Sequence, residues 1–167
     1  TLAVTTGGTG YKSATGLATT GGNGSGLTVN IAVSTGTVNA LGGITAGGSG
    51  YAATGTGVAT TSTGTGAGLT VDFTATGGVV DSVAINTAGD ANYAEGDVIT
   101  ITGAGANATF TIPSGGVTGP ITGVVNAGGG TLYEANDVVT VTQTGGATGT
   151  LTIGAVQDTS IAITEAY

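Results

Sequence analysis

Four stretches of this chain alternate apolar and polar side chains with a period of two. Leu27, Val29, Ile31 and Val33 share one face, with Thr28 and Asn30 between them. The same spacing returns in Leu69, Val71, Phe73 and Ala75, in Ala108, Phe110 and Ile112, and in Leu151 and Ile153. A period of two is the signature of a half-buried antiparallel strand. Ahead of each stretch lies a shorter strand-like run: Leu17–Thr20, Val58–Thr61, Val98–Thr102 and Val138–Thr142, each closed by a glycine-rich turn. A third run follows in Val38–Leu41, Val79–Ile85, Ile121–Val125 and Ser160–Ile163. Thr, Val and Gly dominate where a helix needs Ala, Leu, Glu and Lys, so the pattern predicts strands throughout.

The strands recur in register with a tyrosine motif. Gly7-Gly8-Thr9-Gly10-Tyr11, Gly47-Gly48-Ser49-Gly50-Tyr51, Gly89-Asp90-Ala91-Asn92-Tyr93 and Gly128-Gly129-Gly130-Thr131-Leu132-Tyr133 are variants of one unit, and their tyrosines fall 40, 42 and 40 residues apart. Self-similarity at such a period marks a repeat architecture. The expected fold is all-β, an elongated array of four tandem antiparallel β units of about 40 residues, stacked as a β-sandwich or β-solenoid. Gly26–Ile31 resembles Gly68–Phe73, and Asp97–Thr102 resembles Asp137–Thr142. That pairing suggests a division into residues 1–86 and 87–167, or one continuous array.

The ends look like incomplete units. Leu2-Ala3-Val4 opens the chain as a third-type strand, and Ile161-Ala162-Ile163-Thr164 with Tyr167 closes it as another. A strand lacking its sheet partners offers a row of backbone donors and acceptors that recruits another chain unless charge or proline blocks it. Leu2, Val4, Ile161, Ile163 and Tyr167 are therefore expected to mark assembly termini. The chain opens on Thr1 rather than Met, which leads us to expect a processed or partial form.

Composition narrows the chemistry. Of 167 residues, 36 are Gly, only 6% are charged, and Cys, Met, Trp and His are missing; Lys12 is the one base against nine acids. Glycine without a Gly-X-Y period and with two prolines excludes collagen, and positive mean hydropathy argues against disorder. A net charge of −8 leaves no patch for phosphates or anionic lipid headgroups. Neither nucleic acid nor membrane insertion is expected. Without His, Cys or Arg, a paired-carboxylate hydrolase is the one enzyme class the inventory permits, and the acids are too sparse to suggest it.

Asp90, Glu95 and Asp97 sit close enough in sequence for a weak calcium site made of carboxylates and turn carbonyls. Their spacing matches no EF-hand loop, and the first two units lack them, so turn formation is the favoured reading. No other cofactor is expected. Tyr11, Tyr51, Tyr93 and Tyr133 read as structural residues, each ring capping a sheet end with its hydroxyl wet; a carbohydrate-binding stripe is the competing reading.

The unit Gly-Gly-x-Gly-Tyr, then Gly-Asp-Val-Ile-Thr-Ile-Thr-Gly as in Gly96–Gly103, then Ala106–Ile112, resembles the tandem β repeats of structural proteins in tailed bacteriophage virions, those of cyanophages among them. The resemblance implies a non-catalytic structural subunit of a virion fibre, appendage or capsid decoration, its partners being copies of itself and neighbouring structural proteins. The location it implies is virion or extracellular. The alternatives are a subunit of an extracellular prokaryotic filament or surface layer polymerised by strand addition, and a carbohydrate-binding adhesin module.

Overall fold

A computed structural model describes residues 1–103 and 105–156; Ile161, Ile163, Tyr167 and the expected strand Ser160–Ile163 lie outside the described residues. Among the described residues every regular element is a strand. In chain order these are β1 (Leu2–Thr6), β2 (Ala14–Thr20), β3 (Thr28–Ala32), β4 (Thr37–Val38), β5 (Ile44–Ser49), β6 (Thr54–Ser62) and β7 (Leu69–Thr76). Then come β8 (Val79–Ala88), β9 (Val98–Ile101), β10 (Ala106–Thr111), β11 (Val117–Thr118), β12 (Gly123–Gly128), β13 (Val138–Val141) and β14 (Thr150–Ile153). The fold is all-β, as the alternation predicts.

Two six-stranded antiparallel sheets carry the architecture, in the orders β1-β14-β13-β2-β3-β12 and β5-β10-β9-β6-β7-β8. The two orders are the same pattern. Each sheet holds two segments built as leading strand, tyrosine motif, first strand, turn and second strand. The two first strands meet at the centre, and each leading strand crosses over to pair with the other segment's second strand. Thus β1 pairs with β14 and β12 with β3, while β5 pairs with β10 and β8 with β7. Each sheet curls until its edge strands approach, β1 towards β12 and β5 towards β8, giving two near-barrels.

Burial follows the alternation. Val29, Ile31, Val139, Val141, Leu151 and Ile153 fill the first barrel, and Leu69, Val71, Phe73, Ile99, Ile101 and Phe110 the second. Threonines take the opposite faces, which is how so uncharged a chain keeps a polar exterior. Where β2 and β3 pair, the register slips between Ala14 and Leu17, and it slips again between Gly55 and Val58 where β6 meets β7. Both bulges are pinned alike. Asn30 accepts from the Gly16 amide at 2.9 Å, and Asp72 accepts from the Gly57 amide at 2.8 Å.

Three expectations change. The sheets do not divide the chain at residue 86, a position inside β8: the first barrel takes β1–β3 and β12–β14 from the two ends of the described chain, and the second takes the middle. The segments therefore pair first with fourth and second with third, rather than stacking in sequence order. The cause is the crossover, since a leading strand completes its partner's sheet rather than its own. Leu2-Ala3-Val4 is no orphan either, because β1 is fully paired on one side with β14. Finally, Val38–Leu41 is not the strand that leads into Tyr51. Gly42-Gly43 interrupts it and Ile44–Ser49 takes the role, while Val38 is buried opposite Val117 in the two-stranded pairing of β4 with β11.

Candidate functional site

Each tyrosine reaches across its barrel to grip the partner segment. The Tyr11 ring lies on the turn between β13 and β14, where a Cβ placed on Gly146 would stand 2.5 Å from a ring carbon. Its hydroxyl donates to the Val141 carbonyl at 3.0 Å and accepts from the Gly149 amide at 3.1 Å. Tyr51 does the same to the turn between β9 and β10. It lies over Gly105, donates to the Ile101 carbonyl at 3.5 Å and accepts from the Ala108 amide at 3.1 Å. An edge-on contact with Phe73, centroids 5.3 Å apart, fixes the ring further.

Tyr93 returns the grip onto the turn between β6 and β7, over Gly66, and accepts from the Leu69 amide at 3.0 Å. Tyr133 lies over Gly24 in the turn between β2 and β3. Among the described residues its buried hydroxyl has no hydrogen-bond partner. The expectation of wet hydroxyls is thus corrected: Tyr11, Tyr51 and Tyr93 are buried, and their hydroxyls serve backbone groups of the opposite segment. An unpaired backbone group inside the barrel would cost far more than a solvated phenol gains. Rings so placed cannot stack on a sugar.

The acids are spoken for by turns. Asp90 accepts from the Ala67 and Asn92 amides, each at 3.1 Å, and from the Asn92 side chain at 3.0 Å. Glu95 accepts from the Gly115 amide at 2.8 Å and from Ser114. Asp97 accepts from the Ala94 amide and the Ser62 hydroxyl, both at 3.1 Å, tying the tyrosine turn of one segment to its partner. Asp137 does likewise for the Glu134 and Asn23 amides at 3.1 Å. Among the described residues no three acidic side chains gather into a metal-holding group.

These contacts set the pH response. The Ala67 amide, followed by Asn92, holds the Asp90 carboxyl below its ordinary 3.8, and the Thr74 and Thr76 hydroxyls do the same for Asp81. Burial pushes the Tyr93 phenol above its ordinary 10.0. A carboxyl lowered by folding adds stability above its unfolded value that is lost as pH falls through the folded one. A phenol raised by folding adds stability below its unfolded value that is lost as pH rises through the folded one. Urea midpoints measured against pH should therefore form a plateau, falling below about 3.8 and above about 10, with tyrosinate absorbance rising together with the alkaline loss.

The remaining feature is the seam of the first barrel. One end is stitched, the Ile121 amide donating to the Gly7 carbonyl at 2.8 Å and the Tyr11 amide to Gly119 at 3.0 Å. Towards Thr1 the edges of β1 and β12 part around a cleft of about 1160 Å³, lined by Leu2, Val124, Val125, Leu132, Ile153 and Val156 among others. In the second barrel, β8 is ten residues long against six for β12. Its Val80 lies so close to β5 that a Cβ on Gly47 would stand 2.8 Å from the Val80 carbonyl.

No family model, curated protein or solved structure matches this chain. Its chemistry must be read from the fold. Sequence reasoning singled out the tyrosines and the turn acids but missed the seam. One signal for it was legible in the fourth motif, where Leu132 stands at the position held by Gly10 and Gly50.

Proposed function

We propose that this chain is a non-catalytic structural subunit that assembles with copies of itself and with neighbouring structural proteins. The observation that carries the reading is the open apolar seam of the first barrel: of the five large hydrophobic residues exposed among the described residues, Val125, Leu132 and Val156 line this one cleft. Concentrated apolar exposure next to strand edges that no other described strand covers fits an interaction surface. The carboxylates of Asp90, Glu95, Asp97 and Asp137 accept from amides and hydroxyls of their own and neighbouring turns, which supports a structural role for them.

The setting we propose is a virion fibre, appendage or capsid decoration, on the strength of the repeat's resemblance to tailed-phage structural proteins. An extracellular filament or surface layer is the second reading, and the edges of β1 and β12, which no other described strand covers, favour it. Burial of Tyr11, Tyr51 and Tyr93, three of the four tyrosines, weighs against the adhesin reading.

Electron micrographs and light scattering of the purified chain test the proposal. Ordered multimers that grow with concentration are expected. A monodisperse monomer at every concentration, which also fails to bind other structural proteins of its source, would refute it.

A further inference from the structure

We propose that Asn23-Gly24 is a self-modification site: the Asn23 side chain closes on the Gly24 amide, loses ammonia and becomes aspartate or isoaspartate, which loosens the hold between the first and fourth segments. The inference is independent of the assembly reading. Of the eight asparagines in the chain, Asn23 is the one followed by glycine. A side chain on the following residue crowds the attacking amide nitrogen and narrows its backbone freedom, and glycine does neither. Asn23 is exposed, in the turn between β2 and β3. Among the described residues neither its side chain nor the Gly24 amide makes a hydrogen bond. The side chains of Asn30, Asn39, Asn86 and Asn92, by contrast, are held by the Gly16 amide, the Gly115 carbonyl, Asp72 and Asp90. At Asn23 the two reacting groups give up no such bond in order to meet.

The chemistry needs water and hydroxide alone. The Gly24 nitrogen loses its proton to hydroxide and bonds to the Asn23 Cγ, the Cγ–Nδ2 bond breaks, and that nitrogen leaves as ammonia with a proton from water. Water then opens the five-membered imide. Cleavage of the new bond at Cγ leaves aspartate, and cleavage at the old backbone carbonyl leaves isoaspartate, with the chain now running through the former side chain.

The matching turns lack the reacting group. Gly66, Gly105 and Gly146 lie beneath Tyr93, Tyr51 and Tyr11 as Gly24 lies beneath Tyr133. The residues before those three glycines are Thr65, Ala104 and Gly145, none of which can close an imide. The reaction therefore singles out the turn under Tyr133.

That turn has little tolerance for the product. The Asn23 amide donates to an Asp137 carboxylate oxygen at 3.1 Å, the same oxygen that accepts from the Glu134 amide. Two residues on, Ser25 and Thr131 exchange backbone hydrogen bonds at 3.0 and 2.9 Å. Between these anchors a Cβ on Gly24 would stand 2.5 Å from both the Thr131 carbonyl oxygen and a Tyr133 ring carbon. Isoaspartate inserts a methylene into the backbone there, where even a Cβ has no room. Either product also adds a carboxylate beside Asp137, and like charges at close range repel.

The full-length chain, incubated in mildly alkaline buffer and returned to neutral pH, tests the proposal. Fragment mass spectrometry follows conversion at each asparagine, and labelling with isoaspartyl methyltransferase counts the isoaspartate. Residue 23 should convert several-fold faster than any other asparagine, and the aged chain should unfold at a lower urea concentration than the fresh one. The variant Asn23→Thr carries the residue that the second segment has at this place, and its urea midpoint should survive the same incubation unchanged. No preference for residue 23 would overturn the inference. So would full conversion there with the midpoint unmoved, or an equal loss of stability in Asn23→Thr.

Discussion

Replacing Tyr11 with phenylalanine lowers the urea midpoint clearly, while the same change at Tyr133 leaves it almost where it was. The two rings sit in matching places, but only Tyr11 spends its hydroxyl on the partner segment, bonding both the Val141 carbonyl and the Gly149 amide. Phenylalanine leaves those two buried groups unpaired, a loss of about 1–3 kcal/mol. Among the described residues the Tyr133 hydroxyl has no partner to lose, and removing a buried, unpaired polar atom is neutral or mildly stabilising. Tyr11→Ala goes further, because a fully buried aromatic ring leaves a cavity costing about 3–5 kcal/mol. Equal effects at Tyr11 and Tyr133 would show that the hydroxyls do not do what their contacts imply.

The second large effect concerns the glycine under that ring. Gly146→Val drives a branched side chain into Tyr11, since even a Cβ at Gly146 stands 2.5 Å from the ring. Overpacking of this kind costs about 1–3 kcal/mol, and more where the neighbour cannot move. Tyr11→Ala removes the obstacle, so the double variant Tyr11→Ala/Gly146→Val should lose less stability than the two single changes added together. A coupling of at least about 0.5 kcal/mol is expected between residues in contact. Strict additivity in chemical denaturation would mean that the first and fourth segments do not touch there.

The strands were legible because burial on one face of a sheet imposes a period of two on the side chains, and Leu69, Val71 and Phe73 obey it residue by residue. The tyrosine motif was legible as a repeat for a related reason: a ring laid on a backbone turn demands glycine beneath it, in the same place each time. The partner of each segment was not legible, because a crossover conserves local pattern completely. β1 carries the same alternation whether it completes its own segment or the fourth one, and only the ladder from Leu2 to Ile153 distinguishes the two. Sequence similarity between neighbouring segments, Gly26–Ile31 with Gly68–Phe73, misled in the same way, since likeness of units says nothing of which units pair. The tyrosine hydroxyls were misplaced because a phenol at a strand end can be wet or buried, and the choice depends on an opposite turn some 130 residues away for Tyr11 and Val141. Asp97 and Asp137 each accept the amide three residues before them, the local bonding that an acid in a turn favours.

The pairing of first with fourth segment, on which the barrel, the grips and the seam depend, is tested most directly at its central strand contact. Thr20 of β2 and Thr140 of β13 are direct Cα partners and both face solvent. Antiparallel partners stand about 4.5–5.5 Å apart, inside the range a disulfide spans. The variant Thr20→Cys/Thr140→Cys, mildly oxidised at low protein concentration, should close a bond within one chain and yield a monomer that migrates faster until reduced. Free thiols after oxidation, or bonds found between chains alone, would contradict it.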